Sequence, residues 1–312
     1  MNMPYLFSHF REKNTPDGEQ VYFAISRDGI HWDAVNNGCP VLTCTKGEKG
    51  CRDIEIARLH TGGFVIIATD LCLAFRFDKD GNIDWNKLSK NGSKCISMWK
   101  SQDLIHFSEQ ELIYFGRDDF GCIWAPEVFF DENNNEYIIH FSATVKSDND
   151  SHMAIYYTKT SDFINFTYPQ LFFKKENDVL DSHIVKIGDK YHLFYKNSAE
   201  PLMNMHAYSD ELFGKYIHDN AFEKYMSQLY RPGSYEASTT YILPDGKWCL
   251  MMDFFGCEKD KMGYVPFISP KAGNADFKMS KENFTFPYGF KHGRVIEITQ
   301  NEYDSIKGAY KK

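Results

Sequence analysis

From Asp53 the chain alternates apolar and polar residues, breaks at a short polar turn, and then enters a stretch rich in aromatic and β-branched residues: DIEIARLHTGGFVIIATD. The same order recurs as EVFFDENNNEYIIHFSAT from Glu127, DSHIVKIGDKYHLFYKNS from Asp181 and EASTTYILPDGKWCLMMDF from Glu236. A period of two predicts half-buried strands. The TGG, DENNN, GD and PDG turns predict that consecutive strands pair as hairpins. Each hairpin opens on an acid. One further interval reaches His292, which opens HGRVIEIT. The five heads are thus separated by 74, 54, 55 and 56 residues.

A second pattern lies between these hairpins. SRDGIHW (26–32), SQDLIHF (101–107) and TSDFINF (160–166) share a hydroxyl residue, an Asp two positions on and an aromatic four beyond that, with YSDELFGKY (208–216) a weaker copy. Each reads as an outer hairpin whose Asp closes a turn and whose aromatic packs back. Units of about 40–60 residues with about four strands each are the pattern of a β-propeller. The expected fold is all-β, a single five-bladed domain over 1–312, with little sustained helical period. The last blade would be shared, its inner strand from HGRVIEIT and its outer strands from PYLFSHF and VYFAISRDGIHW, so that the two ends close the ring and leave no open sheet edge. A pair of β-sandwiches gives no reason for acids at the same place in each unit.

Composition narrows the function. The 312 residues include 26 Phe, 19 Tyr and 5 Trp, with a net charge of −8 and no basic run, which argues against nucleic-acid and anionic-membrane partners. The longest apolar runs, such as FVIIA (64–68), are strand-sized, too short to cross a bilayer as a helix. MNMPYLFSHFREKN shows no secretory pattern, and the eight Cys residues (39, 44, 51, 72, 95, 122, 249, 257) form no CxxC pair or zinc spacing. Reduced thiols and a cytoplasmic location are expected. GxGxxG, Walker and HExxH motifs are absent, and His106, His140 and His192 read as packed or surface side chains.

In a propeller the first strand of each blade lines the axis, so Asp53, Glu127, Asp181, Glu236 and His292 are expected to converge at one face. The returning strands would add Thr69, Asp70, Ser142, Lys196 and Asp253. A lone acid heading a strand is explained as a turn cap or an Arg partner; four in register are not. Carboxylates brought together raise one another's pKa, as burial does, which lets one donate a proton while another stays ionised. Trp124 could face a sugar ring, and Arg52, Lys196 or Arg294 could hold carboxylates charged or bond to hydroxyls. Tyr235, beside Glu236, completes the expected binding set.

GCRDIEI, IWAPEVFFDE, LDSHIVKIGDKYHLFYK, YEASTTYILPDGKWCLMMD and KHGRVIEIT, in that order, resemble the family-43 glycoside hydrolases, over roughly residues 4–305. The resemblance implies a five-bladed propeller and an inverting glycosidase acting mainly on α-L-arabinofuranosides, β-xylosides or arabinan, and in some members galactans. By position, Asp53 resembles the base that activates water, Asp181 the acid that tunes the proton donor and orients the sugar, and Glu236 the donor itself. His292 resembles the axial histidine near a central cation or water cluster, and Trp124 and Glu127 the pocket wall. The chain departs from the family with Ile54, where Pro often follows the base, and Ala237, where Gly usually follows the acid.

The resulting expectation is an exo-acting enzyme that removes terminal α-L-arabinofuranosyl residues from oligosaccharides containing arabinose, xylose or galactose. Asp181 is expected to raise the pKa of Glu236 by like-charge repulsion. No cofactor is required, although a structural calcium or sodium at the axis, held by His292 through water, is compatible with the resemblance. A β-xylosidase or exo-galactanase on the same scaffold is the alternative of the same class. A non-catalytic sugar-binding propeller and a protein scaffold are alternatives of other classes.

Overall fold

The computed structural model describes residues 3–11, 15–146, 152–199, 202–229, 233–257, 262–286 and 289–310. Near the N-terminus are β1 (Tyr5–Arg11), β2 (Tyr22–Ser26) and β3 (Asp33–Ala34). Three antiparallel sets of four follow: β4 (Cys51–Arg58), β5 (Phe64–Asp70), β6 (Cys95–Ser101) and β7 (Glu111–Tyr114); β8 (Trp124–Asp131), β9 (Glu136–Ala143), β10 (Ala154–Thr160) and β11 (Gln170–Phe173); and β12 (Val179–Ile187), β13 (Lys190–Asn197), β14 (Met203–Ser209) and β15 (Ile217–His218). The last set is β16 (Ser234–Ile242), β17 (Trp248–Phe255), β18 (Gly263–Ser269) and β19 (Lys278–Met279), and β20 (Phe290–Glu297) ends the strands.

β20 pairs antiparallel with β1, so β20, β1, β2 and β3 form a further four-stranded unit from the two ends of the chain, as the sequence predicts. A single parallel pairing, Gly293 with Ile54, joins it to β4. A side chain at 293 would run into the Ser8 carbonyl, so glycine is needed there for β20 and β1 to approach. The first strands of the units touch in succession, β4 to β8, β8 to β12, β12 to β16 and β16 to β20, and β20 touches β4.

Apolar side chains fill the spaces between neighbouring units. The largest cluster gathers Phe194, Tyr195, Leu250, Trp248 and Phe267 from β13, β17 and β18, and another gathers Ile67, Met98, Ile139 and Phe141 from β5, β6 and β9. Alternation makes this work: each strand offers one row of side chains to each neighbouring unit. The outer turns also form as read. Asp28 accepts from the backbone N–H groups of Ile30 and His31, Asp103 from Ile105 and His106, and Asp162 from Ile164 and Asn165.

Among the described residues three α-helices are present where little helix was expected: α1 (Trp85–Asn91), α2 (Asn220–Ser227) and α3 (Gln300–Ala309). α3 carries a signal that was legible. Thr299 accepts from the Glu302 N–H while the Glu302 carboxylate accepts from the Thr299 N–H, a capping box. Its Tyr303 and Ile306, three apart on one face, are buried in the apolar cluster that also takes side chains from β1, β2, β4 and β5.

Candidate active site

The first residues of all five inner strands meet in one cavity of about 680 Å³. β4 contributes Arg52 and Asp53, β8 Trp124, β12 Leu180 and Asp181, β16 Glu236, and β20 Lys291 and His292. The ends of the returning strands β13 and β17 add Lys196 and Phe255. A charge heads a core strand because that end opens into a shared cavity.

Strict alternation would send consecutive residues to opposite faces, yet Arg52 with Asp53, Leu180 with Asp181, and Lys291 with His292 all line the cavity. A bulge in each strand makes this possible. The pairing of β4 with β5 gains one residue between Arg52 and Glu55, β8 between Trp124 and Glu127, β12 between Leu180 and His183, and β16 between Glu236 and Thr239. β20 gains one between Phe290 and Gly293. Such a bulge re-aims side chains at a site. The extra residue takes a left-handed conformation at Asp53 (φ 55°), Ala125 (46°), Asp181 (53°) and Ala237 (54°). Glycine suits such a φ best, so Ala237 meets a backbone requirement with a residue that resists it.

The bulges also correct the register. The residues matching Asp53 and Asp181 are Ala125 and Ala237, so Glu127 belongs two residues deeper, level with Glu55 and His183. Glu127 does not line the cavity. It is buried beneath it, 2.9 Å from His183 Nδ1 and 3.5 Å from Arg294. Three other expected binding residues also lie outside the lining. Asp70 accepts from the Ser93 hydroxyl (2.6 Å) and the Glu48 N–H (2.7 Å), fastening neighbouring loops. Tyr235 packs on Phe254 and Phe267. Asp253 is fully buried and pairs with Lys291 Nζ at 2.6 Å. Lys291, Phe255 and Trp85 are cavity residues that sequence reading missed. Lys291 was the most legible, standing one residue before His292 at the head of a strand.

The profile of a family described as a probable glycosyl hydrolase domain, related to family 43, matches residues 2–304. The chain belongs to this family. An α-L-arabinofuranosidase of Bifidobacterium longum subsp. longum is 30% identical over 207 residues, 60% of this chain but 19% of that protein, so the match spans about a fifth of the relative. The solved structure of the family-43 protein BlXynB from Bacillus licheniformis is 15% identical, with a TM-score of 0.58 over 96% of this chain and 56% of its own. An endo-1,4-β-xylanase from Bacteroides thetaiotaomicron is 12% identical, with a TM-score of 0.61 over 89% and 90%. These two share the fold with this chain.

Charge is unevenly distributed in this glycosyl hydrolase site. Burial alone would push the Asp53 carboxyl up, but His292 Nδ1 lies 3.0 Å from one oxygen and the Thr69 hydroxyl donates to the other at 2.6 Å. Together they hold Asp53 at about 2. Burial pulls His292 down, and Asp53 more than reverses this, raising it to about 9. Thr69 also accepts from the Ala125 N–H at 2.8 Å, which directs its own proton to Asp53. Among the described residues no group of three or more His, Cys, Asp or Glu is arranged to hold a metal ion.

The second pair of carboxyls reverses the expectation. Burial raises Asp181 to about 7, with Glu236 adding to the rise. Burial also acts on Glu236, but Lys196 Nζ, 2.5 Å away, and Lys291 outweigh it and hold Glu236 down. Lys196 is itself kept in place over the Phe255 ring, 4.3 Å from its centroid. The proton of the pair therefore rests on Asp181 while Lys196 sits on Glu236. Like-charge repulsion is real here, but the ammonium decides which acid bears its cost.

Beneath the cavity, burial raises Glu127 to about 7 and Glu55 to about 8. With Asp181, these groups keep protons in the folded state that they would lose near 4 to 4.5 when unfolded. These three acids thus bind more protons in the folded state between about pH 4.5 and 8 and lower stability as pH rises through that range. His9, His140, His183, His192 and His206, all pulled below 6.5 by burial, act in the opposite sense below that pH, so the acids govern only above it. The raised His292 adds stability that is fully present below its unfolded value of 6.5 and lost as pH passes about 9. Asp53 acts only at the acid end, its contribution disappearing as pH falls below 3.8 through about 2. We expect the melting temperature, read by circular dichroism, to be higher at pH 7, where the other buried histidines are largely neutral in both states, than at pH 9. An equal or higher value at pH 9 would contradict the buried, protonated acids.

Proposed function

We propose that this chain is an inverting, exo-acting glycoside hydrolase that removes terminal α-L-arabinofuranosyl residues from plant-type oligosaccharides. We also propose that its five units are the blades of a five-bladed propeller closed by β20 and β1. One observation carries the catalytic reading: a single cavity holds one carboxylate kept ionised, Asp53, and a carboxyl pair that retains a proton near neutral pH, Asp181 with Glu236. Glycoside hydrolysis with inversion needs both states at once. Family membership and the arabinofuranosidase relative support the reaction and the choice of sugar.

In this mechanism Asp53 takes a proton from water, whose oxygen attacks the anomeric carbon as the glycosidic bond breaks. Thr69 and His292 fix the carboxylate, and His292 stays positive throughout. Glu236 donates to the departing oxygen. It gains that ability when a sugar hydroxyl draws Lys196 away, because its affinity for a proton then rises and Asp181 can supply one. At the end Asp181 is ionised and Asp53 protonated; Asp53 releases its proton to solvent and Asp181 takes one up, which restores both.

The test is a panel of nitrophenyl glycosides (α-L-arabinofuranoside, β-D-xyloside, β-D-galactoside), with the product anomer followed by NMR. Cleavage of the arabinofuranoside with inversion is expected. Cleavage of the xyloside or galactoside instead would reassign the sugar on the same scaffold. Sugar binding by calorimetry without cleavage of any glycoside would make this a binding module.

A further inference from the structure

The cavity rim has one feature that the proposed chemistry does not use. The connection from β5 to β6 runs from 71 to 94, contains α1 and lies at the cavity face, where Leu71 and Leu73 are part of the lining. Trp85, Asn86 and Ser89 of this insertion line the cavity.

The insertion is fastened along its length. The buried Glu19 carboxylate accepts from the N–H groups of Leu73 (2.5 Å) and Ala74 (3.3 Å) with one oxygen and from Arg52 (2.7 Å) with the other. The Thr144 hydroxyl donates to the Ser89 carbonyl at 2.5 Å, the Gly92 N–H to the Gly121 carbonyl at 2.8 Å, and Ser93 to Asp70. α1 anchors itself through Leu88, its buried residue. Trp85 is not needed for that packing and remains 49% exposed. Its ring stands edge-on to Trp124, at 85° with centroids 6.2 Å apart.

A large aromatic held exposed on a fixed loop beside a sugar site is a stacking surface. The apolar C–H face of a pyranose covers such a ring and removes its area from water. The two indoles form a corner. Trp124 is on β8 beside the bulge, level with Arg52 of β4 and Glu236 of β16. Trp85 is on the rim, and a terminal sugar held among the carboxyls would direct the rest of its substrate outward past that rim. Successive sugar rings are turned about the bond between them, and the perpendicular indoles can each face one. We propose that Trp85 is a specificity-determining residue that binds the leaving-group sugar, so that the substrate class is a glycosylated pyranose chain rather than a simple glycoside. This rests on the hydrolase reading above and adds to it the far side of the cleaved bond.

The test compares wild type, Trp85→Ala and Trp85→Phe by kcat/KM on two substrates: an arabinofuranosyl-substituted xylotriose and methyl α-L-arabinofuranoside, whose leaving group has no ring. Binding of xylotriose itself is measured separately by calorimetry. Wild type should favour the oligosaccharide, and Trp85→Ala should reduce that preference at least tenfold and weaken xylotriose binding to a similar degree. Trp85→Phe should retain the preference within about threefold, since a flat ring remains. If Trp85→Ala leaves both preference and xylotriose binding within twofold of wild type, the inference fails while the hydrolase reading stands. If wild type cleaves neither substrate but binds xylotriose through Trp85, the subsite stands and the hydrolase reading fails.

Discussion

Replacing Asp53 with asparagine should lower kcat by about 10²–10⁴-fold, the usual contribution of a positioned acid–base group. The substitution preserves size, and the Thr69 hydroxyl can still donate to the amide oxygen, so the loss reports charge rather than shape. A second effect should accompany it. His292 is raised to about 9 against the pull of burial chiefly because Asp53 lies beside it. Without that carboxylate burial acts unopposed by its nearest partner, and the NMR titration of His292 should move down by more than a unit. A variant that keeps kcat within tenfold of wild type would remove Asp53 from the base role. A His292 titration that stays near 9 would show that some other acid holds the imidazolium.

Glu236→Gln should show a loss that depends on the leaving group. For an alkyl or sugar leaving group, which needs a proton, we expect kcat to fall about 10²–10⁴-fold. For a dinitrophenyl glycoside, whose leaving group departs as an anion, the loss should be only several-fold. The experiment matters here because the folded chain keeps the proton on Asp181 and holds Glu236 ionised beside Lys196. Asp181→Asn provides the comparison. If the leaving-group dependence appears in Asp181→Asn and not in Glu236→Gln, Asp181 is the donor and Glu236 serves to hold Lys196. If both lose equally on both substrates, neither donates the proton.

The fold was legible because strand alternation is a local property. The hairpins headed by Asp53, Asp181 and Glu236, and the sharing of one unit between PYLFSHF and HGRVIEIT, follow from patterning and turn chemistry, and the four-stranded units bear this out. α3 was missed although its capping box is written in TQNE, because ten residues are too few to establish a period. Of the expected site residues, Arg52, Asp53, Trp124, Asp181, Lys196, Glu236 and His292 meet in the cavity. Glu127 was misplaced by two residues. The bulge stands at the same place in β4, β8, β12 and β16 and is the landmark that aligns them, but no residue type marks it in the sequence, so counting between acids cannot fix the register. Asp70, Tyr235 and Asp253 are adjacent in sequence to cavity elements, but their side chains turn into the packing.

By itself the sequence determined the strand pattern, including the strands left without a local partner at each end, and which strand heads carry charge, because each of these depends on residues within a few positions of one another. The tertiary structure alone decided the protonation states. Whether Asp181 or Glu236 keeps the proton depends on Lys196 and Lys291, and the state of Asp53 depends on His292, which is more than two hundred residues away in sequence. It also decided that an insertion between β5 and β6 should bring Trp85 to the cavity rim beside Trp124. Coulomb energy and ring packing act over a few ångströms of space, and the separation of residues along the chain does not report that distance.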